Sequence, residues 1–149
     1  MIYCEKPNIR NSRKLYRWRN CKCIYSISRN IFVFLGGLIT YANDLKMSLA
    51  NVPEKILQKH GAVSEQTAKA MAEGGRLKLN TDYTIAVTGI AGPDGGTKEK
   101  PVGTVWIALA GPHRTIAKVF HFGNHRGRNI EKTMLYAANL IRKEILEIA

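Results

Sequence analysis

Two groups of residues have types and spacing that could do chemistry. The first is Tyr41, Asn43 and Lys46 in TYANDLK, where the lysine follows the tyrosine by five residues. A strand-to-helix turn over that interval brings both side chains toward the cleft at a strand's end, where α/β proteins bind ligands. A lysine desolvated there can serve as a general base. A solvated surface lysine has the same signature. The second group is Thr88–Trp106, TGIAGPDGGTKEKPVGTVW. Gly89, Gly92, Gly95 and Gly96 let backbone N–H groups converge on an anion with no Cβ in the way, and Lys98 and Lys100 add positive charge. That chemistry is a cradle for a phosphate or carboxylate. Ordinary turn formation accounts for Pro93-Asp94-Gly95-Gly96 equally well, and the chain has neither a Walker pattern nor a dinucleotide fingerprint.

The elements that must position these groups follow from periodicity. The run Ile31–Tyr41, IFVFLGGLITY, is apolar and β-branched around a glycine pair, which predicts a buried strand with close backbone approach at Gly36 and Gly37. Short helices are expected over Asn43–Ala50 and Pro53–His60, the second with proline in its first turn. Ser64 can cap the next helix, whose core face carries Ala68, Met71, Ala72, Gly75 and Leu79. Asp82–Gly89 reads as a strand running into the glycine-rich loop. Val102–Ala110 and Thr115–Phe122 read as a hairpin joined by Gly111-Pro112-His113-Arg114. The last helix has Ile130, Met134, Ala137, Ala138, Ile141, Ile145 and Ile148 on one stripe. The expected architecture is a single α/β domain, a mixed sheet with helices on both faces.

The chain has 149 residues, enough for one domain with a real core. No apolar run approaches the roughly 20 residues that span a bilayer, and the N-terminus lacks a signal-peptide pattern, so a soluble cytoplasmic protein is expected. The net charge of +12 is unevenly placed. Residues 1–30 hold eight Lys and Arg against one acid, a net +7, which leaves +5 over the other 119 residues. Cys4, Cys21 and Cys23 all lie in that basic segment too. One residue between Cys21 and Cys23 is too few for the usual zinc spacing, so no metal site is expected, and an odd count argues against a disulfide framework.

The order FLGGLITYANDLK, HGAVSEQTAKAMAEG, AVTGIAGPDGGTKEKPVGTVWIAL, HFGNHRGRNIEKT closely resembles the CinA C-terminal domain family, the nicotinamide-nucleotide amidohydrolases. The resemblance runs from Phe34 to the C-terminus, and TGIAGPxGGTxxKPVG is its most specific block. It implies a three-layer α/β/α domain resembling the anticodon-binding-domain fold, often dimeric, so a homodimer is an expected partner state. The implied reaction converts the carboxamide of nicotinamide mononucleotide to a carboxylate with release of ammonia, without a cofactor. Tyr41 and Lys46 match the family's active-site tyrosine and lysine. The Thr88–Gly103 loop matches its nucleotide-binding loop, so the implied substrate contacts are Gly36, Gly37, Asn43, Thr88, Gly89, Ala91, Gly92, Gly95, Gly96, Thr97, Gly103 and Thr104. Asn124 and Gly127 stand where the family often has acids, which weakens the carry-over to Arg126 and Arg128.

The resemblance also requires a motif AESCTGG, with the nucleophilic serine, upstream of FLGG; it is absent. An amide is a poor electrophile, so its hydrolysis needs an activated nucleophile, a base and an oxyanion site. The genetic code offers an account. Ser12–Trp18, SRKLYRW, can be encoded AGC AGA AAG CTG TAC AGG TGG. Begun one nucleotide later, this reads GCA GAA AGC TGT ACA GGT GG, which is Ala-Glu-Ser-Cys-Thr-Gly-Gly. Codon degeneracy leaves freedom at several positions, but tryptophan has a single codon, and it forces the last glycine. The same shift over Ser28–Phe32 gives Pro-Gly-Ile-Ser, at the family's spacing from Phe34. Residues 1–33 are therefore expected to be out of frame, with the CinA-type domain over 34–149. This accounts at once for the charge, the cysteines and the missing serine.

Two other classes of function are open from the residues. The domain could bind a nucleotide without hydrolysing it. The basic segment, with Tyr16 and Trp18 for stacking, could contact nucleic acid; the frame reading removes the ground for that class by making the charge a codon accident.

Overall fold

The computed structural model describes residues 35–147. The segment read as out of frame, with its cysteines and the residues that would supply a nucleophile, lies outside them. In chain order the elements are α1 (Asn43–Ala50), α2 (Glu54–His60), α3 (Glu65–Leu79), β1 (Thr84–Gly89), β2 (Thr104–Ala110), β3 (Thr115–His121) and α4 (Arg126–Ile145).

Local chemistry sets most of these boundaries. Ser64 is the N-cap of α3, its hydroxyl accepting from Thr67 N at 3.2 Å, which satisfies one of the orphan donors of the first turn. Helices α1 and α3 end on Asn51 and Asn80, both left-handed, a conformation asparagine tolerates better than most residues. Between β2 and β3 the turn closes with Gly111 N donating to Arg114 O at 2.9 Å.

The three strands lie in the order β1-β2-β3 and pair antiparallel, Val87 opposite Ile107 and Ile107 opposite Lys118. The expected mixed sheet is therefore an antiparallel one among the described residues. Its expected first strand does not form over 35–41, which carry no regular structure. Leu35 is exposed while Gly37 and Thr40 are buried, so this stretch packs as an irregular segment. A short apolar run around two glycines looks the same in sequence whether it pairs in a sheet or only packs against one.

Alternation along the strands feeds two cores. Ala86, Ala108 and Ala110 face α1–α3 and meet Ala68, Met71 and Ala72 of α3 with Ala50 and Val52. Val105, Ile107 and Leu109 face α4 and meet Ala137 and Leu140. Helices on both sheet faces make the three-layer α/β/α arrangement. Fully burying an aliphatic side chain of this kind contributes about 1.5–3 kcal/mol, so β2, buried on both faces, is the centre of the fold. The α4 stripe is rotated from the expected one. Its buried residues are Asn129, Ile130, Thr133, Ala137 and Leu140, whereas Ala138 and Ile145 are exposed, because this helix buries two polar residues that an apolar count passes over. Among the described residues no helix is long and apolar enough to cross a membrane.

Candidate functional site

The glycine-rich loop leaves the sheet where β1 ends and β2 begins. The alternation that buries Ala86 and Ala108 against α3 also sends Thr88 and Thr104 to the α1–α3 side, and both are buried. Thr88 Oγ1 donates to Ala62 O at 2.7 Å, and Thr104 Oγ1 lies 3.3 Å from His121 Nδ1. Lys100 reaches across from the far limb of the loop and donates from Nζ to His60 O at 3.0 Å. Gly61 O, between those two carbonyls, accepts from Ser64 Oγ at 3.0 Å and Thr67 Oγ1 at 2.7 Å. Of three consecutive carbonyls of the α2–α3 turn, the middle one is taken locally by Ser64 and Thr67 and the outer two by Lys100 and Thr88, which fastens the loop to that turn.

Inside the loop, main chain meets main chain. Ile90 N donates to Thr104 O at 2.9 Å, Gly103 N to Ile90 O at 2.6 Å and Phe122 N to Gly103 O at 3.0 Å. A Cβ at Gly103 would overlap the backbone of Gly123, and Gly103 has φ 87; both space and conformation demand glycine there. Gly89 packs on the backbone of Val105, and Gly96 on that of Val102. The loop's own packing therefore accounts for these glycines. Gly95 differs, at φ 91 with Ile90 Cγ2 at 3.9 Å from a built Cβ and otherwise open space. The exposed tip is held by Thr97, whose N–H donates to Lys100 O and whose hydroxyl accepts from Lys100 N, each at 3.0 Å. Hydrogen bonds from its own backbone and then from Thr97 hold the Glu99 carboxyl below its ordinary value. Glu99 puts a negative charge between Lys98 and Lys100, so the loop tip is not purely cationic.

Lys46 is 5% exposed and donates from Nζ to Thr40 O and Tyr41 O, each at 3.1 Å. Because Lys46 sits in the first turn of α1, its side chain folds back along the helix onto the segment that leads into it. The structure thus joins Lys46 to Tyr41 through the tyrosine's main chain, and Tyr41 is 73% exposed. Asn43 is exposed as the first residue of α1, Gly37 is buried, and Gly36 has φ 147. Helix α1 packs on α3, on the same side of the sheet as Thr88 and Thr104.

The start of α4 braces the loop from the other side. Asn129, fully buried, donates from Nδ2 to Ala91 O at 3.1 Å and Gly123 O at 2.8 Å, and Arg126 Nη1 donates to Gly92 O at 2.7 Å. A shallow hollow lined by Glu73, Arg76, Leu77, Ala110, Gly111 and Thr115 lies at the opposite, hairpin end of the sheet. It is remote from all of these groups.

The model of the CinA C-terminal domain matches residues 22–145. The chain belongs to the CinA C-terminal domain family. The match begins upstream of Phe34, where the resemblance of the motifs starts. A CinA-like protein of Parasynechococcus marenigrum is 48% identical over 116 residues, 76% of this chain and 28% of that protein. One from Gloeobacter violaceus is 50% identical over 113 residues, 74% of this chain and 26% of that protein. The chain therefore spans less than a third of the length of these curated relatives. Among solved structures, the competence/damage inducible protein CihA from Agrobacterium tumefaciens matches with a TM-score of 0.80 at 33% identity, covering 83% of this chain and 76% of that one. The competence damage-inducible protein A from Klebsiella pneumoniae matches with 0.81 at 26% identity, covering 86% and 80%.

Within this CinA-type domain, sequence reasoning singled out the glycine-rich loop and Lys46 and passed over Asn129. The one available signal was a polar residue beside Ile130 and four residues before Thr133, on the side of α4 that turns inward.

Proposed function

We propose that this chain carries the nucleotide-binding part of a nicotinamide-nucleotide amidase and lacks its nucleophile. In the parent domain a serine oxygen attacks the carboxamide carbon of nicotinamide mononucleotide while Lys46 takes the serine proton. The tetrahedral intermediate collapses as the C–N bond breaks, and the leaving nitrogen picks up a proton to depart as ammonia. Water then hydrolyses the acyl-enzyme to nicotinate mononucleotide and regenerates the serine. Tyr41 stands beside Lys46 in sequence and in the fold, and the Thr88–Gly103 loop is the nucleotide contact.

The observation that carries this reading is Lys46. A lysine that is 5% exposed, with Nζ fixed by two backbone carbonyls, is costly to keep for solubility alone, since burying an amine sacrifices its hydration. Its position on the layer that also receives Thr88 and Thr104 supports this reading over that of a surface lysine.

The test has two arms. The purified chain as it stands should bind nicotinamide mononucleotide by calorimetry and release little or no ammonia from it. Brisk turnover would mean the nucleophile is elsewhere. A second protein, in which the residues before Phe34 are replaced by their single-nucleotide-shifted translation, should release ammonia, and Lys46→Met in that protein should abolish the release. Resequencing the DNA over codons 5–34 checks the premise, and the frame reading falls if no shift opens AESCTGG.

A further inference from the structure

Asn129 has an amide that is only half used. Both of its close partners are carbonyl oxygens, Ala91 O and Gly123 O, so the nitrogen must be the atom that faces them. Its two N–H groups are then spent, and Oδ1 is buried with no hydrogen-bond partner among the described residues. A fully buried amide with an unmet acceptor is a costly residue to keep where an aliphatic one would fill the space. What the aliphatic residue could not supply is the pair of donors.

The donors fix a peptide plane. The Ala91–Gly92 bond is trans, so its C=O and N–H point in opposite directions. With Ala91 O drawn onto Asn129, the N–H of Gly92 is turned away from α4. Ala91 and Gly92 are buried, and no acceptor among the described residues takes the Gly92 N–H. A donor fixed in direction and left without an acceptor suits an oxygen of a bound ligand. The second bond of Asn129, to Gly123 O, ties the same plane to the Gly103–Gly123 crossing, so the loop cannot rotate there without undoing that crossing.

We infer that Asn129 is a positioning residue: it holds the Ala91–Gly92 peptide so that the Gly92 N–H is presented to an oxygen of the nucleotide. The inference deepens the nucleotide-binding reading above and rests on it for the ligand. Thr133, buried one turn later and bonded through Oγ1 to Asn129 O at 2.6 Å, supplies a control of similar burial with no link to the loop.

The experiment uses the full chain. Asn129→Leu keeps the number and branching of the side-chain atoms and removes the donors, and Thr133→Val removes a buried hydroxyl from the same helix. In ligand-free wild type the Gly92 amide should show a backbone order parameter near the rigid value of about 0.85, falling below about 0.6 in Asn129→Leu while the α4 amides keep theirs. Calorimetry should find nicotinamide mononucleotide bound about tenfold or more weakly by Asn129→Leu, and bound normally by Thr133→Val. If Asn129→Leu does not fold, Asn129→Ala carries the same comparison. An unchanged Gly92 order parameter in the folded variant overturns the positioning role, whatever the ligand does. Loss of Gly92 order in a protein whose wild type binds no nicotinamide mononucleotide supports the positioning role and removes the nucleotide reading instead.

Discussion

The two faces of the sheet are packed by opposite means. Against α1–α3 the strands present Ala86, Ala108 and Ala110 to a helix carrying Ala68, Ala72, Gly74 and Gly75. Against α4 they present Val105, Ile107 and Leu109, with Phe120 and Phe122 stacked at one end and Tyr136 tilted against them, its ring centre 4.6 Å from that of Phe120. Small residues bring backbones together. A Cβ at Gly74 would fall on the Ala50 carbonyl, so α3 touches the main chain of the helix that carries Lys46. The same closeness lets Thr88 reach the Ala62 carbonyl. The α4 face contributes buried volume instead. The layer that holds the lysine is built for fixed position, and the opposite layer for apolar burial.

If that contrast is right, the faces should fail in opposite directions when side-chain size is changed. The largest effect belongs to Ile107→Ala, which empties a fully buried site on the α4 side. Urea unfolding should show a loss of about 2–5 kcal/mol, and a loss under about 1 kcal/mol would mean that α4 is loosely seated. Gly74→Ala on the other face should also destabilise, although alanine gains about 1 kcal/mol in helix propensity. Overpacking against a backbone carbonyl costs up to about 3 kcal/mol, so the expected net loss is about 2 kcal/mol. A stabilised Gly74→Ala protein would show that α1 and α3 can separate freely, and the contrast would collapse.

The smallest effect concerns how α4 is fastened at its far end. Arg114 of the hairpin turn donates to both carboxylate oxygens of Glu144, at 2.9 and 2.7 Å. The hydrogen bonds from Arg114 hold the Glu144 carboxyl below its ordinary value. A group depressed on folding contributes stability above its unfolded pKa and loses it as pH falls through the folded one. Thermal unfolding should therefore find Glu144→Gln slightly less stable than wild type at neutral pH, with the gap closing below the ordinary carboxylate range. The pair lies at the surface, so the gap is small. A gap that widened on acidification would contradict the assignment.

Much of this arrangement was legible in the residues. Helix periodicity, the Ser64 cap and the two-strand hairpin gave elements within a few residues of those observed, because each rests on local chemistry. The TGIAGP block pointed to the loop and YxNxxK to Lys46. What could not be read was tertiary. The run through Gly36 and Gly37 is apolar enough for a strand, but strand formation depends on a partner, and 35–41 have none among the described residues. Gly89, Gly92, Gly95 and Gly96 read equally well as clearance for an anion or as turn formers; the sequence did not show that Gly89 and Gly96 also meet the backbone of Val105 and Val102. Asn129 escaped notice because its value lies in carbonyls of Ala91 and Gly123, and carbonyls are anonymous in a sequence.

That anonymity has a consequence at the α2–α3 turn, where the carbonyls of residues 60, 61 and 62 receive Lys100, Ser64 with Thr67, and Thr88. Every one of those contacts is addressed to the main chain, so the side chains of His60 and Ala62 carry no part of the message. Substitutions of His60 should pass almost silently through selection, while Gly61, at φ 75, Ala62, packed on the core, and the hydroxyls and the amine that read the turn should not. A library scanning this domain would find one of the three carbonyls of the loop's attachment carried by an indifferent residue, His60.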